Sequence, residues 1–73
     1  MLEKIDHVMA KFRVAMLKKF HKKETLGWTS WDNPDTKRIL GTKLMEHTIK
    51  PFTRDNLVDI ALLCLFLWNL EDE

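Results

Sequence analysis

Between Leu57 and Trp68 the chain reads Leu-Val-Asp-Ile-Ala-Leu-Leu-Cys-Leu-Phe-Leu-Trp, and Asp59 is its only polar residue. A helix built from such a run has no polar face, so it cannot lie on a surface with one side in water. A chain of 73 residues has enough material to shield one or two of its sides. The apolar remainder predicts contact with another copy or a partner. A bilayer span needs about 20 apolar residues, and this run is shorter and carries an acid. It is therefore expected to be a central helix and the interface of a homo-oligomer, a dimer or larger, with no membrane involved.

Size points the same way. A single helical domain over residues 1–73 is near the length at which one core supplies only about 3–5 kcal/mol of net stability, a shortage that assembly relieves. The sequence is 45% hydrophobic and 32% charged with two glycines and two prolines, which fits a folded, helix-rich chain rather than a disordered one. A formal net charge of +1 excludes a bulk polycation, and without a recognition module duplex nucleic acid ranks low among partners. Cys64, the only cysteine, lies inside the apolar run, so neither an intrachain disulfide nor a Cys-based zinc site is expected. Met1 to Asp6 mixes charge with apolar residues and lacks the apolar stretch of a signal peptide, which makes the cytoplasm the expected location.

Three helices are predicted, over about 2–23, 34–49 and 54–70, forming a small all-α up-down bundle. In the first, Leu2, Ile5, Val8, Met9, Phe12, Ala15, Met16 and Phe20 recur in steps of three or four and make one stripe. Its second half is basic, with Lys18, Lys19, His21, Lys22 and Lys23. Cations there complement the helix dipole, and part of the cluster is also a candidate anion site. Gly27 and Asn33-Pro34 break the period, and Asp32 or Asn33 is expected to cap a second helix with Pro34 at its first position. Pro51 ends that helix. Thr53 is the expected N-cap of the third, with Phe52 and Leu57 placed to pack across the cap and Asp55 in the first turn, while Glu71-Asp72-Glu73 is expected to fray.

Asp59 is the sharpest chemical anomaly, because a carboxylate among apolar neighbours costs several kcal/mol unless it is paired, hydrogen-bonded or bound to a cation. Arg54, Lys43, His47 or a tryptophan N–H are the expected partners, and a pocket holding a metal or ligand is the alternative. Glu46 and His47 are adjacent on one helix and point about 100° apart, so they do not share a ligand. His47 reads as a satisfied core histidine. No pair of histidines has metal spacing, and no nucleophile–base set has local context. Trp28 and Trp31 stand in the connection, where they either cap the open end of the bundle or offer flat faces for a base. With His21, Lys22 and Lys23 just upstream and Thr29, Ser30 and Asn33 around the rings, the segment combines the stacking faces, cations and donors a nucleotide needs.

The order His21-Lys22, Gly27-Trp28, Trp31-Asp32, Leu44-Met45-Glu46-His47 and Leu57-Val58-Asp59-Ile60-Ala61 resembles the short phage-type members of the all-α MazG-like nucleotide pyrophosphohydrolases, over roughly Phe20 to Trp68. In that family, acidic pairs spaced by three on two helices hold magnesium against the phosphates of a nucleoside triphosphate. The resemblance places those pairs at positions 43 and 46 and at 56 and 59, which here are Lys43, Glu46, Asn56 and Asp59. Half the acids are absent and one is a cation, which favours binding over hydrolysis.

The expected function is that of a non-enzymatic, oligomeric module with no cofactor that binds a nucleotide-like phosphorylated ligand. The resemblance adds a phage protein that sequesters a nucleotide signal of host defence. Trp28 or Trp31 would stack on the base, and His21, Lys22, Lys23, Lys43 and Arg54 would supply positive charge beside Glu46 and Asp59. The enzymatic alternative is a magnesium-dependent pyrophosphohydrolase with Glu46 and Asp59 as ligands. A third reading is an adaptor whose apolar helix enters a partner's groove.

Overall fold

The structure, a computed structural model, describes residues 1–71; Asp72 and Glu73, expected to fray, lie outside them. Among the described residues there are helices α1 (Leu2–Thr25), α2 (Lys37–Thr48) and α3 (Arg54–Leu70), a 3₁₀ turn over Pro34–Thr36, and no strand. The expected all-α bundle is thus present. The second helix differs at both ends, because its first turn tightens into 3₁₀ geometry and it stops at Thr48.

Local chemistry sets each boundary. Gly27 takes φ +94°, open to glycine at little cost. The turn it makes returns the Gly27 N–H to the Glu24 carbonyl and the Trp28 N–H to the Lys23 carbonyl, both at 3.0 Å, which satisfies two of the last carbonyls of α1. Asn33 caps the 3₁₀ turn by accepting from the Asp35 N–H at 3.0 Å, with Pro34 following. The Thr53 hydroxyl oxygen accepts from the Asn56 N–H at 3.1 Å and opens α3.

The helix α3 packs against both α1 and α2. Lys37 meets Glu71 at one end of the α2–α3 pair and His47 meets Asn56 at the other, so these two helices run antiparallel. Lys19 reaches Asp55 and Lys23 reaches Asp59, so α1 and α3 run in the same sense. The order is up, down, up. Leu40, Leu62, Leu63 and Phe66 form the buried core, with Met16, Phe20, Trp28, Trp31 and Leu44 packed around it. Trp31 stacks on Phe66 at 5.1 Å and meets the edge of Phe20 at 5.6 Å, which ties the connecting loop to α1 and α3.

Two apolar surfaces stay uncovered. No residue of α1 is buried, and Leu2, Ile5, Val8, Met9 and Phe12 are all exposed. On α3 the face opposite the core carries Leu57, Cys64, Leu65 and Trp68, all exposed, with Ala61 between them.

Candidate functional site

Asp59 is buried to 13% side-chain exposure, and its charge is answered from α1. The ammonium groups of Lys19 and Lys23 each lie 3.5 Å from its Oδ1, which makes no hydrogen bond among the described residues. This corrects the expected partners Arg54, Lys43, His47 or a tryptophan N–H. The signal was present in the sequence. Lys19 and Lys23 continue the steps of three and four of the apolar stripe, so they sit on the face of α1 that turns toward α3. Two cations embedded in one apolar face match an acid embedded in another.

Lys19 also pairs with Asp55 at the exposed rim of this junction. Burial by itself pushes the Lys19 ammonium pKa down, but the hydrogen bond to Asp55 and the charges of Asp59 and Asp55 outweigh it and leave the value raised. Asp55 is held below the usual carboxylate range by the hydrogen bond and charge of Lys19, with Lys22 and Lys23 adding to the effect.

Asn56 is a structural knot rather than a vacant ligand position. Its amide N–H groups donate to the His47 carbonyl at 2.9 Å and the Pro51 carbonyl at 3.0 Å, which fixes the amide so that its oxygen points at His47 Nδ1, 2.7 Å away. Nδ1 must therefore donate. An acid at position 56 would lose both carbonyl contacts, which gives a physical reason for asparagine where the resemblance calls for a carboxylate.

Trp28 is the other junction. Its position just after Gly27 brings its ring to Lys23, whose ammonium sits 5.3 Å from the ring centroid, and the ammonium of Lys43 from α2 sits 5.2 Å from it. Lys23, Trp28, Lys43 and Asp59 thus form one connected group built from all three helices and the loop. The remaining expected site residues fall elsewhere. Lys22 and Arg54 line a cleft of about 850 Å³ between α1 and the start of α3, together with Lys11, Lys18 and Lys19. His21 is exposed on the α1 surface, 3.6 Å from Glu24. Trp31 has its ring committed to Phe20 and Phe66. Glu46 is exposed on α2.

A smaller cavity of about 330 Å³ is lined by His47, Asp55, Asn56 and Asp59. Magnesium, which the resemblance implies, does not fit this donor set. Both carboxylates are already countered by lysines, and among the described residues no group of three or more His, Cys, Asp or Glu side chains converges to hold a metal. No helix of the described residues is long and apolar enough to cross a membrane. No family model, curated protein or solved structure matches the chain, so the geometry of these residues carries the functional reading.

Proposed function

We propose that the chain is a non-enzymatic helical protein, oligomeric through α3, that binds and sequesters a phosphorylated, nucleotide-like small molecule. The observation that carries the ligand is that the Lys23 and Lys43 ammonium groups each lie against the Trp28 ring, 5.3 and 5.2 Å from its centroid. A planar base and an ammonium compete for the same indole face, since both are drawn to its π cloud. A base that takes that face leaves two ammonium groups beside it for phosphate. Thr29 and Ser30, next in the loop, add hydroxyl donors. Lysine at position 43 contacts phosphate directly in this reading, which removes the need for a bridging cation. The phage setting and the defence signal enter this proposal from the resemblance alone.

Calorimetry with a panel of linear and cyclic nucleotides tests the ligand. Saturable heat is expected for at least one member. Trp28→Ala should weaken that binding roughly 5- to 150-fold, the range of one base–aromatic stack of about 1–3 kcal/mol, and Lys43→Glu should abolish it. No heat across the panel, or unchanged heat in Trp28→Ala, overturns the ligand assignment.

A further inference from the structure

The chain exposes 6142 Å², whereas a compact monomer of its mass exposes about 4,700 Å². Its radius of gyration is 13.2 Å, against about 11 Å for a compact chain of this length. The surplus of roughly 1,400 Å² exceeds the 600–1,000 Å² that each partner of a standard interface buries. The larger part of the uncovered apolar surface is the arm of α1, and the rest includes the outer face of α3, where Leu57 is 43%, Leu65 49% and Trp68 74% exposed.

That face is self-complementary in one direction only. Beside its N-terminal end lies the 850 Å³ cleft, with Val8, Phe12 and Leu57 among its apolar walls and Lys18, Lys22 and Arg54 among its cations. Its C-terminal end carries the bulkiest exposed side chain, Trp68, and then Glu71. The centre carries the small residues Ala61 and Cys64, which let two helices approach closely.

Building on the proposal that the chain is oligomeric through α3, we infer that its occupant is a second copy laid antiparallel across this face. In that arrangement the partner's Trp68 enters the cleft beside Leu57, and the partner's Glu71, which meets Lys37 within its own chain, lies level with Arg54 and is shared between the two cations. A two-fold axis between Leu62 and Leu63 gives this register, pairing 57 with 68, 61 with 64 and 54 with 71. A parallel pair would set the basic clefts against each other at one end and the two Glu71 carboxylates at the other. The buried tryptophan is the anchor of the interface.

Cross-linking decides the orientation. Arg54→Cys and Glu71→Cys are made separately in a Cys64→Ser background, helicity is checked by circular dichroism, and a bismaleimide reaching about 8 Å is added to each variant and to their mixture. Antiparallel pairing predicts a covalent dimer in the mixture and little in either variant alone, because residues 54 and 71 lie about 25 Å apart along a helix. Self-linking of each variant alone overturns the orientation. A dimer by sedimentation that links in none of the three samples overturns the α3 face. Trp68→Ala should weaken dimerisation about 30-fold or more, and unchanged association overturns the anchor. Arg54→Glu, which sets an acid against the partner's Glu71, should weaken it; unchanged association overturns the charge pairing. A folded monomer at micromolar concentration removes both this inference and the oligomeric half of the proposed function, whereas an antiparallel dimer that binds no nucleotide leaves the inference standing and removes only the ligand.

Discussion

The first half of α1 and the length of α3 are both rich in apolar side chains, yet they meet opposite fates. Val58, Leu62, Leu63 and Phe66 of α3 are buried, while residues 1–14 are exposed throughout. Reach explains the difference. The 24 residues of α1 span about 36 Å and the 17 of α3 about 26 Å. Because α1 first meets α3 near Ala15 and Lys19, its earlier turns run past the end of its neighbour. An amphipathic stripe states which side of a helix would be buried; it does not supply the element that buries it.

The most direct way to break this comparison is to truncate one large side chain in each region. Phe66→Ala should cost about 3–5 kcal/mol, as much as the whole net stability that a single core of this size supplies. Ile5→Ala should stay within about 0.5 kcal/mol. Urea titration measures both, and comparable losses would mean that the α1 arm is covered. Asn56→Leu comes next, since it strands the His47 and Pro51 carbonyls at about 1–3 kcal/mol each where water does not reach them. A neutral result would show that this end of the α2–α3 pair is held by packing alone.

Lys19→Met should destabilise by about 1–2 kcal/mol, more than Lys23→Met, because Lys19 answers both Asp55 and Asp59 whereas Lys23 answers only Asp59. Equal effects would assign Asp59 to Lys23. Hydrogen exchange sharpens the same contrast: amides of residues 6–12 should exchange well before those of residues 60–68.

The smallest effect is on pH. The folded Asp55 has a lowered pKa, so its contribution is present above its unfolded value near 3.8 and is lost as pH falls through the lower folded value. Lys19 has a raised pKa, so its contribution is full below its unfolded value near 10.5 and is lost as pH rises through the higher folded one. Stability should therefore be flat around neutrality with respect to this pair. Asp55→Asn should reduce the acid-side slope, and an unchanged slope would show that the rim pair contributes nothing.

The sequence by itself determined the three helices and the breaks between them, though not the exact ends of α2. Gly27 ends α1, Asn33-Pro34 opens the 3₁₀ turn and Thr53 opens α3, and each does so through bonds spanning a few residues, which the order of residues specifies directly. It also marked Asp59 as requiring a cation. The stripe of α1 puts Lys19 and Lys23 on its inward face, but that they rather than Arg54 or Lys43 answer Asp59 depends on how α1 lies across α3, a crossing fixed by packing among residues distant in the chain. The same holds for the two tryptophans. They are three residues apart and alike in local context, yet Trp31 enters the aromatic core while Trp28 lies under two lysines. The direction of the chain after Gly27 and the position of α2 decide that division, and no local pattern encodes it.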